Sequence, residues 1–474
     1  MNSGATKIIA VVVVVALVAG GATFFFMNQK KSDDDKKGVE TALAVYGNAN
    51  NDTNIDADDV AIIKDIISES KKFEDYPMAD ANCDDQITQE DVDFVNAIID
   101  KTADNVNIQC LDSTGKAVSK NVKYPLTNIV GIGTNMLPVL INAKVQSVIV
   151  GYYDSSDTYT NLEASLKDCN MIAKAGRKIS ASDWTKFTNL DASLEAAGKG
   201  GINAFFVDHS LGSVPDSSTT QRSDLNSRGI PEIRLAVADP YGEISATMLI
   251  GFLVGGEADT TARTYAEKSW DVIHSIQSSL SGLKDEEKKT YIGTSMHISI
   301  CQNNSTFGTL GSYVSGIPYY TVNDTFKEAY KGTSSKAMDS VEALSNYAVA
   351  SKLDGKRGIE NIFASRTIDV LTGDGTQAKI VTEWETEKNG HPAYEYFKDL
   401  DCYDHLFFIN NLLPGAVKLA YVAACMYPDQ YSMSDADAVA EEFAEMCLTM
   451  KGCTKENTLY CFGLADYNAA KAAA

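Results

Sequence analysis

The sequence predicts an α/β protein of two lobes joined by one long helix, preceded by a small all-α domain built on two acidic loops and, before that, by a transmembrane helix. Three observations carry this expectation. Strand-like apolar runs alternate with amphipathic helical runs on both sides of one unbroken helical pattern. An acidic loop followed by a helix occurs twice, and an uncharged apolar run opens the chain.

The 474 residues, 44% hydrophobic and 22% charged, are enough for several domains with a substantial core. A formal net charge of -23, with no basic stripe studded with aromatics, repels phosphates and excludes nucleic acid as a partner.

Residues 1–37 read as a membrane anchor and linker. Ile8 to Met27 is uncharged and mostly apolar, and a helix of about 20 apolar residues spans a bilayer. A cleaved signal peptide usually has an apolar region of only about 7–15 residues, so the expectation is an uncleaved anchor. No cysteine precedes Cys83, which excludes a lipid-anchored cysteine after a signal peptide. Lys7 on one side and Lys30 and Lys31 on the other leave orientation open. Glycosylation triplets beginning at Asn303, Asn304 and Asn323 fit an exported chain. The expected location is the cell membrane, extracellular face.

Residues 38–104 hold the acidic repeat. Calcium takes six to eight oxygens, which a twelve-residue loop supplies from alternating positions and a closing carboxylate. In NANNDTNIDADD these places fall on Asn48, Asn50, Asp52, the carbonyl of Asn54, Asp56 and Asp59. In DANCDDQITQED they fall on Asp80, Asn82, Asp84, Gln86, Thr88 and Asp91. An amphipathic helix follows each loop, and Ile55 and Ile87 are placed to pair the loops through their backbones. This duplicated loop and helix resembles a type I dockerin, a calcium module that docks into a cohesin domain; the resemblance implies two bound Ca2+ ions and a cohesin-bearing partner. Two departures matter. The sharp turn at position six favours glycine, yet Thr53 and Asp85 stand there. Neutral Asn48 opens the first loop, so the second site is expected to be the stronger. Without metal, the same residues serve as acidic helix caps.

From residue 105 the texture changes, and residues 105–256 read as lobe 1. NIQCLDSTGKAVSKNVKYPLTNIVGIG is a hairpin turning at Ser113, Thr114 and Gly115 and followed by a strand; after an amphipathic helix, Val145–Val150 reads as a buried strand, and GINAFFVDHS and PEIRLAVADP as two further apolar runs that break into polar loops. Residues 257–286 form the connecting helix, with Ala262, Tyr265, Ser269, Val272, Ile276 and Leu280 at steps of three or four. In residues 287–474, lobe 2, YIGTSMHISI and IPYYTV read as strands, and HLFFINNLLPGAVKLAYVAACMYP as a strand then a helix. This order, opened by KYPLTNIVGIG and closed by LAYVAACMYPDQY, resembles periplasmic binding proteins of the cobalamin, haem and iron-siderophore class. The resemblance implies a two-lobed substrate-binding protein that takes a metal chelate and delivers it to an ABC permease. Asn135 and Met136 stand where such proteins often place an acidic residue for the permease.

In an open α/β sheet ligands sit beyond the carboxyl ends of the strands. That points to Tyr152, Tyr153, Asp208 and His209 in lobe 1, and to His297, Trp384 and His391 in lobe 2, the aromatics to pack on a ligand plane and the histidines to ligate a metal. Each has an ordinary alternative as core or surface. No nucleophile elbow, His-Glu-x-x-His or phosphate-cradling loop occurs, so no enzyme is expected. Two functions follow: a membrane-tethered receptor for a corrinoid, haem or iron-siderophore, or a cell-surface interaction protein whose lobes no longer bind a transported ligand. A dockerin-borne polysaccharide hydrolase is least favoured for want of a carboxylate pair. Nine cysteines leave one unpaired if the rest bridge, and either a disulfide or buried free thiols fits their spacing.

Overall fold

Period-two apolar runs bounded by turn residues form the strands of two sheets, in a computed structural model that describes residues 43–154, 164–175, 178–295, 298–302, 305–332, 335–347, 358–366 and 376–473. The apolar run Ile8 to Met27, His297, Asn303 and Asn304 lie outside the described residues. Among the described residues no helix is long and apolar enough to cross a membrane.

The acidic repeat folds into α1 (Ala57–Ile67) and α2 (Gln89–Ile99), each opened by a reciprocal capping box, Asp56 with Asp59 and Thr88 with Asp91. The apolar stripes Val60 and Ile63, and Val92 and Val95, make a small core of their own. Ile55 and Ile87 pack against that core, and the backbone pairing expected between them is not formed.

β1 (Asn105–Leu111) and β2 (Ala117–Lys123) form the hairpin, its turn tied by Asp112, which accepts from the Thr114 and Lys116 amides at 2.7 and 3.0 Å. β3 (Ile129–Ile132), β4 (Ile149–Asp154), β5 (Met171–Lys174), β6 (Ala204–Asp208) and β7 (Glu232–Leu235) complete a sheet of order β2-β1-β7-β6-β3-β4-β5. The five later strands are mutually parallel, with α3 (Met136–Asn142), α4 (Ala181–Ala196) and α5 (Gln221–Ser227) among their connections. β4 begins later than expected because Gln146–Val148 is a turn of 3-10 helix. α6 (Pro240–Val254) is buried almost all round. It lies on α7 (Glu257–Leu280), where a side chain on Gly251 would strike the Ala262 methyl. All six positions predicted to line the inner face of α7 are buried.

In lobe 2, β8 (Thr290–Ser295), β10 (Ile317–Pro318), β12 (Asn361–Arg366) and β15 (Leu406–Asn410) pair in parallel. β9 (Ser299–Cys301), β11 (Ser335–Ala337) and β16 (Cys461–Gly463) add antiparallel edges, giving the order β11-β9-β8-β12-β15-β16 with β10 beside β8. β13 (Glu387–Lys388) and β14 (His391–Pro392) are a separate hairpin. The run expected as one strand at YIGTSMHISI is thus an antiparallel pair, β8 and β9. IPYYTV gives two strand residues and then a helical turn, Tyr319–Val322. Pro318 has no N–H to donate, and Asn323 caps the helix that follows by accepting from the Phe326 amide. α8 (Thr376–Trp384), α9 (Gly415–Met426), α10 (Met433–Met446) and α11 (Leu464–Ala473) complete the chain.

One continuous apolar core runs from β1 and α3 through α6 and α7 into α9, α10 and the inner face of the second sheet. Separate cores cover the outer face of each lobe.

Candidate functional site

The carboxyl ends of the near-lobe strands form one edge. In register, Tyr153 lies beside Ile132 and Ile132 beside Val207, so Asp154 and Asp208 come one residue further along. Asp208 is buried; it accepts from the Asn135 side chain at 2.7 Å and from the Ser210 amide at 2.8 Å. Its negative charge is therefore held by two donors and positions Asn135 at the start of α3. Neighbouring His209 is half-buried, with Nδ1 unpartnered among the described residues; burial lowers its pKa from 6.5, Asp208 and Asp112 opposing and Arg234 adding to the effect.

From β7 the chain turns through Ala238 and Asp239 into α6. Asp239 caps that helix, accepting from the Tyr241 and Gly242 amides at 3.0 and 2.9 Å. Across the junction, the Tyr313 hydroxyl donates to Asp239, and Thr306 Oγ1 donates to the Ala238 carbonyl at 3.0 Å. Glu243, one turn into α6, accepts from the Tyr265 hydroxyl of the connecting helix and from the Gly415 amide at the start of α9. The two helix N-termini abut: a side chain on Gly415 would lie 2.7 Å from Pro240 Cα. Lys418 is buried in the same place, and its charge acts on Glu243 and Asp239. Burial raises the pKa of both carboxyls and lowers that of Lys418, while their mutual attraction opposes each shift. Both lobes thus contribute polar groups to one junction beside the helix that joins them.

Sequence reasoning placed some residues here and others not. Tyr152 is partly buried against the main core at the end of β4. Tyr153 is wholly buried, its hydroxyl on the Asp183 carbonyl at 3.1 Å, and offers no face to a ligand. Trp384 is a correction of the same kind: it has no exposed surface, stacked on Tyr467 at 5.2 Å and beside Phe408 under α11. His391 is exposed on its small hairpin, 3.1 Å from Glu395, rather than brought together with Tyr152 and Asp208. Asp239, Glu243, Tyr313 and Lys418 were missed. Asp239-Pro240 after a strand is a helix-start signature that sequence reading could have used.

The acidic loops are built on short local bonds. In the first, Asp59 accepts from the Asn50 and Asp56 amides at 3.0 and 2.8 Å, and Asp52 from the Asn54 amide at 2.6 Å. In the second, Asp91 accepts from the Ala81 and Thr88 amides at 2.9 and 2.8 Å, and Asp80 from those of Asp84 and Asp85 at 3.1 and 2.9 Å. Asp59 is fully buried, and burial with the charges of Asp52 and Asp56 pushes it up to about 7 against the bonds it accepts. Asp85 takes the left-handed backbone at φ +66 that position six demands; Thr53 does not. Among the described residues no three Asp, Glu, His or Cys side chains converge closely enough to hold a metal as they stand. The donors are nonetheless all oxygens, the set a hard cation takes, and a cation there would relieve the crowding of charge around Asp59.

The module is fastened to the near lobe. Val45 bridges to Ile108, the Asn107 side chain donates to the Ala81 carbonyl at 2.8 Å, and Leu43, Val45 and Ile98 enter the main core. Arg263 of α7 reaches the first loop, donating to the Thr53 carbonyl and to Asn54 Oδ1.

The TroA-like periplasmic binding protein FepB from Veillonella parvula superposes with a TM-score of 0.51 at 15% identity, over 75% of this chain and 99% of its own. The two lobes have the fold of a TroA-like periplasmic binding protein. CeuE from Helicobacter pylori with Ni(II) bound matches at 13% identity, 76% of this chain, 99% of its own and a TM-score of 0.45. A periplasmic heme binding protein from Pseudomonas aeruginosa matches at 14%, 64%, 94% and 0.40. No protein-family model matches the sequence, and no curated protein does.

Proposed function

We propose that this chain is a substrate-binding protein of an ABC importer for a metal chelate, a corrinoid, haem or iron-siderophore, tethered by its N-terminal helix to the extracellular face of the cell membrane. The observation that carries the reading is the architecture: two α/β lobes on one long helix, with polar groups of both meeting at one junction, in a periplasmic binding protein fold. The activity assigned is binding and delivery to a permease, without covalent chemistry. To the acidic loops we assign two Ca2+ ions, the second loop holding the stronger, and to the module a cohesin-bearing partner. The decisive experiment is the visible absorption spectrum of the protein purified from its native host. A corrinoid or haem band supports the receptor; a colourless protein that also fails to bind any added chelate sinks it.

One set of observations favours the second reading, a cell-surface interaction protein. Tyr313 and Asp239, and Gly415 and Glu243, already join across the junction, and Arg263 fixes the module to the connecting helix. A protein that binds no chelate yet retains a cohesin-bearing partner would decide for it.

A further inference from the structure

Cys425 and Cys461 stand apart from the other cysteines in how they are placed. Cys425 is buried in the last turn of α9; Cys461, partly exposed, opens β16, and their Sγ atoms are 3.7 Å apart across 36 residues of sequence. Beside them a second contact ties α9 to the residue that leads into β16: Tyr421, one turn earlier on α9, stacks on Tyr460 at 5.9 Å with 23° between the rings. β16 is itself held in register by β15, Ile409 opposite Cys461. The sulfurs therefore meet because helix and strand are independently clamped.

We propose that Cys425 and Cys461 are a redox pair that closes to a disulfide in an oxidising exterior, fastening the last strand of the far lobe to α9. Its occurrence in the cell rests on the exported location proposed above; its geometry does not. A disulfide needs its sulfurs at about 2 Å, so closure asks for about 1.7 Å of approach. The exposed partner acts first. The Cys461 thiolate attacks the disulfide of an oxidised low-molecular-weight thiol such as glutathione disulfide, forming a mixed disulfide and displacing one glutathione thiolate. Cys425 then gives up its proton and attacks Cys461 Sγ, releasing the second glutathione. Two protein thiols lose two protons and two electrons, and one glutathione disulfide becomes two glutathione molecules. Burial raises the Cys425 thiol pKa, which makes the second step the slow one. The bond would anchor the segment leading into α11, the helix that covers Trp384.

The test uses the full chain, reduced, freed of reductant and then exposed to glutathione disulfide. Peptide mapping without reductant should find Cys425 joined to Cys461, with free thiols falling from nine to seven. Cys425→Ser should stop at a glutathione adduct on Cys461, and Cys461→Ser should leave Cys425 unmodified. A stable adduct on Cys461 of the unaltered chain, or a bridge from Cys461 to another cysteine, overturns the pair. Protein taken from the host under thiol-trapping conditions should already carry the cross-link. Closure in vitro with reduced thiols in that sample would leave the pair standing and overturn the exported location.

Discussion

His209 shows how much a single placement decides. It follows a strand as a ligand-contacting residue would, but its Nδ1 is buried without a partner among the described residues, and burial holds its pKa below the ordinary 6.5. The sign follows directly: as pH falls below about 6.5 the unfolded chain takes up the proton first, so stability is full above that pH and declines beneath it. Denaturation midpoints measured from about pH 7 to about pH 5 should fall less steeply in His209→Gln than in the unaltered chain. Equal slopes would show that His209 titrates as a solvated residue. Tyr153 and Trp384 carry the complementary lesson. An aromatic near a strand end or in a polar segment looks the same in sequence whether it faces a ligand or the core, because that depends on which helix later covers it. For Trp384 the cover is α11, some eighty residues away in the chain.

At the scale of elements, the two facing helix starts and the two acidic loops carry the sharpest consequences. Lys418 on α9 and Glu243 on α6 are buried, and the lysine's charge acts on Glu243 and on Asp239 just before α6. Lys418→Met removes a cation whose charge acts on both carboxyls and is expected to lower stability, while adding Glu243→Gln should recover part of the loss. Urea unfolding of the two variants checks this, and equal losses would mean the lysine acts by packing alone. The loops should take calcium in two unequal steps. Asp80 opens the second loop and Asp85 takes its left-handed turn, whereas the first has neutral Asn48, a non-left-handed Thr53 and Arg263 against it. Titration calorimetry of the full chain should show Asp84→Ala weakening calcium binding more than Asp52→Ala. Absence of any calcium heat would remove the metal reading and leave the loops as helix caps. These helices were legible because a capping box and an apolar stripe are local. The β8–β9 pair was not, because nothing in the apolar run YIGTSMHISI marks where the chain reverses, and neither was the turn at Tyr319, which depends on a proline and a cap whose effects reach beyond the apolar pattern.

Across the whole molecule the legible part was the order of elements and the inner face of α7, since a helix read over six turns leaves little ambiguity of period. What sequence did not reveal is that the lobes share one core and the module shares part of it. A core that continues from β1 through α6, α7 and α9 into the second sheet resists hinge opening, because separating the lobes would expose apolar side chains that are now buried. The junction adds to this resistance, for Glu243 would lose the Gly415 amide and Asp239 would lose Tyr313. Small-angle scattering of the full chain, with and without a chelate shown to bind, should therefore give nearly superimposable profiles. The module should hold its place in both, since Val45, Asn107 and Arg263 tie it to the near lobe and the connecting helix. A marked compaction on binding would mean that the lobes part in the free protein, and that the continuous core and the bonds across the junction belong to the closed state alone.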